Sequence, residues 1–86
     1  MKRLQFDPIA FQHYQTWIRE NPKIALRIGE LLSDILRDPF KGIGKPEALK
    51  YNLKGYWSRR INDEHRLVYK VTSESIIITS CKFHYD

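Results

Sequence analysis

Three proline dipeptides divide the first half of the chain and limit what can form around them: Asp7-Pro8, Asn21-Pro22 and Asp38-Pro39. The residue before a proline is disfavoured in the helical conformation, whereas proline itself is well tolerated in the first turn of a helix. The first two dipeptides can therefore each start a helix, and the third stops one. The spacing predicts two helices, over residues 8–20 and 22–37.

Apolar residues recur at helical spacing in both segments. Residues three or four positions apart lie on one side of a helix, so each stripe defines a buried face. The first stripe is Phe11, Tyr14, Trp17 and Ile18, and the second is Ile24, Ile28, Leu31, Leu32 and Ile35. Arg27, Glu30 and Asp34 fall opposite the second stripe, which predicts a solvent-facing side. The short connection between the segments predicts two antiparallel helices.

The remaining segments alternate apolar and polar residues with the period of a β-strand. A short strand is expected at Lys2–Phe6, and Phe40–Glu47, which contains Gly42, Gly44 and Pro46, is expected to be a loop. The later predicted strands are Lys50–Leu53 and Tyr56–Ile61, joined as a hairpin at Lys54-Gly55, then Arg66–Val71 and Ser75–Phe83.

No helix separates these later strands, so they are expected to pair antiparallel in sequence order. The prediction is an α+β fold in one domain spanning residues 1–86. An N-terminal strand and two antiparallel helices accompany a mainly antiparallel sheet of four to five strands. The helices cover one face of this sheet, and the other face is left partly open.

The net charge of +5 resides entirely in residues 41–70, where eight Lys and Arg residues face three acids. Localised positive charge favours a polyanionic partner, first nucleic acid and then a membrane surface. No apolar run approaches the roughly 20 residues needed to cross a bilayer, and residues 1–10 lack the core of a signal peptide. The single cysteine, Cys81, excludes an internal disulfide and a cysteine-rich zinc site, and the cytoplasm is the expected compartment.

Strand alternation sorts the basic residues onto faces. Leu67, Tyr69 and Val71 are expected to face the helices, which sends Arg66 to the open face, and Arg60 shares a side with Ser58. His84 is expected beside Lys82 on the polar side of the last strand. Such a face is suited to bind RNA, and three tyrosines are available for stacking on bases: Tyr51, Tyr56 and Tyr85.

The same residues also permit RNA cleavage without a metal. That reaction needs a base for the ribose 2′-OH, a cation for the phosphate and an acid for the departing 5′-oxygen. Glu47, Arg66 and His84 can fill these roles in that order. Spacing alone leaves plainer alternatives open: Glu47 as a solvated loop acid, and Arg60 or Arg66 in surface ion pairs with Asp63 or Glu64.

Four other residues are assigned structural places. His65 is expected to form a structural hydrogen bond at the start of its strand, and His13 is expected on the surface of the first helix. Trp17 is expected in the core or an interface. Cys81 is expected to be a small core residue, because no nearby feature would lower the pKa of its thiol.

Sequence blocks in the second half carry a resemblance to a known family. They are GKPEALK, WSRRI, HRLVY and the terminal CKFHY. Together they closely resemble the pattern of the Txe/YoeB family of bacterial toxins, within the RelE/ParE superfamily, and the two-helix first half also fits. The resemblance therefore spans the whole chain and implies a RelE-like fold. Phe83 departs from the pattern, where tyrosine is frequent, and Asp86 extends it.

The resemblance implies a ribosome-dependent mRNA endonuclease that uses no metal or other cofactor. It assigns Glu47 as general base, Arg66 as transition-state stabiliser and His84 as general acid. Supporting residues at the mRNA would be Lys50, Arg60 and Tyr85. Asp86, if close to His84, would favour the imidazolium form and raise the pKa of His84.

The resemblance also implies partners. These are a YefM/Axe-type antitoxin, the ribosome and its mRNA, and operator DNA contacted only through the antitoxin complex. The chain would assemble as a homodimer or as a toxin–antitoxin heterotrimer. Two other functions stay open at this stage, a non-catalytic DNA gyrase poison of the same superfamily and a nucleic-acid-binding corepressor component.

Overall fold

The computed structural model describes residues 1–83. Two helices pack on one five-stranded sheet with the strand order β1-β5-β4-β3-β2. Strand β1 pairs parallel with β5, and the other neighbours pair antiparallel. The elements are β1 (Arg3–Phe6), α1 (Pro8–Glu20), α2 (Pro22–Arg37), β2 (Glu47–Ala48), a 3₁₀ turn (Tyr51–Leu53), β3 (Tyr56–Arg60), β4 (Arg66–Val71) and β5 (Ser75–Ser80). The predicted α+β class is confirmed.

Both helices begin and end where the prolines predict. Pro8 and Pro22 occupy the first turns of α1 and α2, where a missing backbone N–H costs nothing. Asp7 stands at the cap position of α1 and receives the Phe11 amide on its carbonyl, at 3.0 Å. The Asn21 amide closes α1 on the carbonyl of Trp17, at 2.8 Å.

The core lies between the helices and one face of the sheet. Its helix side centres on Ile28, Leu31 and Ile35, all fully buried, and its sheet side includes Leu67 and Tyr69. Burying each such side chain contributes about 1.5–3 kcal/mol before the entropy of ordering is subtracted. The prediction that Leu67, Tyr69 and Val71 face the helices is confirmed, because Val71 packs against the same cluster.

The predicted strand at Lys50–Leu53 is wrong. Residues Tyr51–Leu53 form a 3₁₀ turn, closed by the Leu53 amide on the Lys50 carbonyl at 3.1 Å, and Tyr51 has a left-handed φ of 57°. The strand that pairs with β3 instead comes earlier, at Glu47–Ala48, within the predicted loop. Four alternating residues fit a turn as well as a strand, so the pattern alone did not discriminate.

The last strand is also shorter than predicted. It ends at Ser80 rather than Phe83, because the backbone of Cys81 turns away to bond side chains of α1. The Trp17 indole donates to the carbonyl of Cys81 at 2.8 Å. Side chains of α1 thus replace a neighbouring strand as hydrogen-bond partners.

A fully buried arginine, Arg59, ties the sheet to helix α2 and to the loop that follows it. Its guanidinium pairs with the Asp34 carboxylate, and its Nε donates to the Tyr69 hydroxyl at 3.2 Å. Its remaining N–H groups bond three loop carbonyls, those of Asp38, Lys41 and Ile43 at 2.6, 3.2 and 3.1 Å. All five donors of the side chain are therefore used.

The solvent-facing place predicted for Asp34 is wrong, since its side chain is only 16% exposed and its Oδ2 faces Arg59. The hydrogen bond from Arg59, followed by that from the Ile43 amide, lowers the pKa of Asp34 to about 2. Gly42 makes room for this pair: it has a φ of 138°, and a Cβ there would collide with Asp34 Oδ2.

Replacing Arg59 with methionine should lower the free energy of unfolding by about 3–5 kcal/mol, because it strands a carboxylate and three carbonyls at once. Urea denaturation followed by tryptophan fluorescence measures this. Arg60→Met is the matched control, since Arg60 is exposed and its loss should shift stability by about 0.5 kcal/mol at most. Equal effects of the two substitutions would contradict the role of Arg59.

The Asp34 carboxylate should make stability depend on acid. Its pKa is lower in the folded protein than its ordinary 3.8, so its contribution is complete above pH 4 and disappears as pH falls towards about 2. The stability advantage of the natural protein over Asp34→Asn should therefore shrink between pH 5.5 and pH 2.5. Asp63→Asn, in an exposed turn, controls for the loss of a carboxylate as such. An advantage that does not change with pH would exclude this linkage.

Candidate functional site

The sheet face opposite the helices carries a row of residues that the strand registers align. Glu47 on β2 lies opposite Ser58 on β3, Ser58 lies opposite Val68 on β4, and Val68 lies opposite Ser80 on β5. Ser58 and Val68 are buried, whereas Glu47 at the edge is exposed. The Glu47 carboxylate is therefore exposed at one end of a row whose middle residues are buried.

Two arginines lie side by side in the next row. Arg60 and Arg66 are directly opposed across β3 and β4. Each is two residues along its strand from the row of Ser58 and Val68, so both project from the same face. Arg60 is exposed and Arg66 is half-buried. The predicted placement of both arginines on the face away from the helices is therefore confirmed.

The Arg66 guanidinium is fixed by the turn that precedes its strand. Its Nη1 donates to the carbonyls of Asn62 and His65, at 2.8 and 3.1 Å. Glu64, one of the acids considered as an ion-pair partner for the arginines, lies against His65, with 3.7 Å between Oε2 and Nε2. The cation is thus oriented by backbone carbonyls within its own hairpin.

Glu47 and Lys50 share the rim of a separate hollow. Residues 47–53 line this hollow of about 280 Å³, and both charged side chains are exposed. Strands in a sheet are about 4.8 Å apart, so the backbone of Glu47 is roughly 10 Å from that of β4, two strands away. The structure therefore places Glu47 near Lys50, and both at some distance from Arg66.

His84, Tyr85 and Asp86 lie outside the described residues, so the structure says nothing about the places predicted for them. The last described residue, Phe83, is bonded to the start of β4. Its carbonyl accepts the Arg66 amide at 3.0 Å, and its own amide donates to His65 Nδ1 at 2.9 Å. The chain as described thus ends beside Arg66.

A glycine holds the loop before β2 close to strand β3 and helix α2. Gly44 has a φ of 78°, and its carbonyl accepts the Arg60 amide at 2.6 Å. A Cβ at this position would come within 2.8 Å of Leu31 Cδ2 and 3.1 Å of the Arg60 carbonyl. Only a residue without a side chain allows the loop to approach so closely. This positioning role was not part of the sequence prediction, although the spacing of Gly42 and Gly44 signals it.

Of the four residues with predicted structural places, three are placed as predicted and one is not. The structural hydrogen bond predicted for His65 is confirmed, and Trp17 is buried in the core. Cys81 is fully buried in the core, which confirms the prediction, and this burial raises the pKa of its thiol to about 12. The surface placement of His13 is wrong, because its ring is half-buried and its Nδ1 accepts the Cys81 amide at 3.2 Å.

Two further features concern residues 1–83 only. No three His, Cys, Asp or Glu side chains in this range gather in a way that could hold a metal ion. Neither helix within it has the length and apolar character that crossing a membrane requires.

The opposed arginines should cost the fold stability. Like charges directly across a strand pair are destabilising by a few tenths of a kcal/mol, so Arg60→Gln should slightly raise the midpoint of thermal unfolding at low salt. The gain should disappear as salt screens the repulsion. Arg19→Gln, on the exposed surface of α1, is the control for lowering net charge. A gain that salt leaves unchanged would show that repulsion is not the cause.

Comparisons with known proteins agree with this architecture. A family described as "YoeB-like toxin of bacterial type II toxin-antitoxin system" matches residues 6–85. "Toxin YoeB" of Synechocystis sp. is 52% identical over 85 residues, covering 98% of both chains.

Two solved structures from Staphylococcus aureus superpose closely on the chain. One, described as a YoeB dimer, has a TM-score of 0.91 and 50% identity and covers 98% of both chains. The other, described as a YoeB-YefM complex, has a TM-score of 0.89 and 51% identity and covers 99% of both. The family match, the fold and this full-length similarity lead to one conclusion: the chain belongs to the YoeB-like toxins of bacterial type II toxin-antitoxin systems.

Proposed function

We propose that the chain is an endoribonuclease that cuts mRNA in the decoding site of a translating ribosome and so inhibits translation. The observation that carries the proposal is the shared face of the sheet. It presents a carboxylate, Glu47, together with two opposed guanidinium groups, Arg60 and Arg66. Membership of a toxin family supports a harmful activity, and the face supplies chemistry suited to a phosphodiester.

The opposed arginines support binding of a phosphate. Two like charges directly across a strand pair repel each other, and an anion between them converts the repulsion into attraction on both sides. A guanidinium also presents a planar fork of donors that matches phosphate oxygens. Arg66, held by the carbonyls of Asn62 and His65, would stabilise the charge that develops on the phosphate during reaction.

The proposed reaction is a transfer within the RNA that needs no metal. Glu47 takes the proton from a ribose 2′-OH, and the 2′-oxygen attacks the adjacent phosphorus. The bond from phosphorus to the 5′-oxygen breaks, and His84 donates a proton to that oxygen. The products are a 2′,3′-cyclic phosphate, or the 3′-phosphate after hydrolysis, and a 5′-hydroxyl end.

Three residues would support this chemistry. Lys50 shares a hollow with Glu47, so it can bind a phosphate next to the proposed base. Arg60 adds a second cation beside Arg66. Tyr85 is assigned from the resemblance to the family, and we propose that it contacts the mRNA.

We further propose a YefM-type antitoxin as the partner, acting in the cytoplasm. Structures of the Staphylococcus aureus protein are described as a YoeB dimer and as a YoeB-YefM complex. The excess of positive charge in residues 41–70 suits an acidic antitoxin segment that folds as it binds. A homodimer or a toxin–antitoxin heterotrimer would result, and operator DNA would be contacted only through the antitoxin complex.

Primer extension on mRNA in a purified translation system, with and without ribosomes, tests the proposed activity. New 5′-hydroxyl ends should appear in the coding region only when ribosomes are present. Alanine at Glu47, Arg66 or His84 should each reduce cleavage by about 10²–10⁴-fold, the range for loss of an acid–base or charge-stabilising group. Arg19→Ala, on the exposed surface of α1, is the control and should cleave normally.

Two results would contradict the proposal. One is retained cleavage by a folded Arg66→Ala or His84→Ala variant. The other is inhibition of growth without any cleaved mRNA, combined with inhibition of DNA gyrase in a supercoiling assay. Circular dichroism and urea denaturation of each variant establish that it is folded.

A further inference from the structure

Two histidine side chains hold the segment that follows the last strand. This segment, Cys81–Phe83, follows β5, which ends at Ser80. Its carbonyls accept from the Trp17 indole, at Cys81, and from the Arg66 amide, at Phe83. Its amides at the same two residues donate to histidines. The Cys81 amide donates to Nδ1 of His13 on α1, at 3.2 Å. The Phe83 amide donates to Nδ1 of His65, at 2.9 Å. The same kind of bond thus anchors the segment at two alternate residues.

Each bond requires a neutral imidazole. A ring nitrogen that accepts an N–H carries no proton itself, so His13 and His65 are in the tautomer protonated at Nε2. A doubly protonated ring would present N–H to N–H, and the bond would become a repulsion. Both anchors therefore exist only while the histidines are uncharged.

The backbone at Phe83 shows that the segment is held rather than relaxed. Phe83 has a φ of 72°, in the left-handed region that a bulky residue rarely adopts. Such a conformation persists only where surrounding contacts impose it. Here a hydrogen bond lies on each side of the strained residue, from its amide to His65 and from the Arg66 amide to its carbonyl.

Charged and aromatic groups surround both rings, and at His13 they favour the neutral state. At His13, burial, and then the nearby Lys82 cation, lower the pKa. Lys82 Nζ lies 5.3 Å from the centre of the Trp17 ring and 5.4 Å from that of Phe83.

His65 lies between Trp17 and charged residues of its own hairpin. Its ring centre is 4.8 Å from that of Trp17, in an edge-on arrangement. The Glu64 carboxylate lies 3.7 Å from Nε2, on the side of the ring away from the Phe83 amide. Arg66 is the other charged neighbour, and its Nη1 donates to the His65 carbonyl.

We propose that His13 and His65 are positioning residues that seat segment 81–83 through neutral imidazole acceptors, and that protonation of the rings releases the segment. The inference deepens the proposed function and rests on it in one respect. His84, the proposed general acid, is the next residue in the sequence after Phe83. Releasing the segment by protonating the rings should therefore reduce cleavage.

NMR spectroscopy of the free protein tests the anchors without reference to activity. At pH 7.5, ¹⁵N shifts should show both imidazoles protonated at Nε2 alone, and the Cys81 and Phe83 amides should exchange slowly with solvent. As pH is lowered, protection of each amide should disappear in step with protonation of its own histidine. Rings protonated at Nδ1, or protection that outlasts protonation, would overturn the proposal.

Matched substitutions separate the acceptor from the packing of the ring. His65→Asn keeps an acceptor near the position of Nδ1 but does not titrate, whereas His65→Phe keeps a ring without an acceptor. The phenylalanine variant should speed exchange of the Phe83 amide at least tenfold at pH 7.5. The asparagine variant should retain protection and hold it down to pH 5.5. Equal losses in both variants would assign the role to packing and overturn the proposal.

The same pair of substitutions at His13, read on the Cys81 amide, tests the other anchor independently. Protection of the Ile76 amide on buried β5 reports whether each variant keeps its fold. Should a phenylalanine variant not fold, the titration of the natural protein still decides the question.

Cleavage assays connect the anchors to the proposed reaction. His65→Phe should lower kcat about tenfold with little change in KM, and His65→Asn should restore kcat and weaken its decline between pH 7.5 and 5.5. Normal cleavage by His65→Phe would overturn the positioning role. Absence of cleavage by the natural protein would instead refute the proposed nuclease function, and the NMR result on the anchors would still stand or fall by itself.

Discussion

The described structure depends on one buried cation. All five N–H donors of Arg59 form hydrogen bonds. Their acceptors lie on helix α2, on β4 at Tyr69, and in the loop at residues 38–43. The Tyr69 hydroxyl passes the network on to the Pro39 carbonyl at 2.7 Å. An arginine in this position fixes where the loop lies, because moving the loop would leave a buried charge without partners. That loop leads directly into β2 and its Glu47.

The consecutive residues Arg59 and Arg60 differ in burial, the first being buried and the second exposed, for a simple geometric reason. Successive residues of a strand point to opposite faces, so the side chain that anchors the core forces its neighbour onto the open face. Arg59 faces Asp34 beneath the sheet, and Arg60 faces Arg66 above it. The buried ion pair and the two opposed arginines of the open face are thus linked through the backbone of a single strand.

Much of the architecture could be predicted from local rules. Proline placement located both helices, and strand alternation placed Arg60 and Arg66 on the open face. The failures concern interactions between distant parts of the chain. From the sequence alone Asp34 is predicted to face solvent, because its partner Arg59 lies 25 residues later in the chain. His13 is likewise predicted to be exposed, because its contact with Cys81 is between distant parts of the chain. A two-residue strand at Glu47–Ala48 has too little sequence to show a period.

For the candidate site, the sequence supplied the residue types and the structure supplied part of their arrangement. The registers align Glu47 with the strands that carry the two arginines, which spacing alone could not do. Strand alternation and the chemistry of RNA cleavage made His84 a candidate acid, but only the resemblance to a family favoured it over plainer readings and gave Tyr85 a role at the mRNA. Assignment of roles to all six site residues remains a proposal.

The face combines parts that differ in local stability. Arg60 and Arg66 project from strands whose other side forms the core, so their backbones cannot move without disturbing buried residues such as Leu67. Glu47 lies on an edge strand with two paired residues, and segment 81–83 depends on hydrogen bonds to side chains. A short edge strand with few ladder bonds is the kind of region that opens locally at low free-energy cost, whereas the fully buried Cys81 holds the start of segment 81–83. The fold therefore keeps the backbones of both arginines fixed and places the proposed base on an element that can adjust to the proposed RNA substrate.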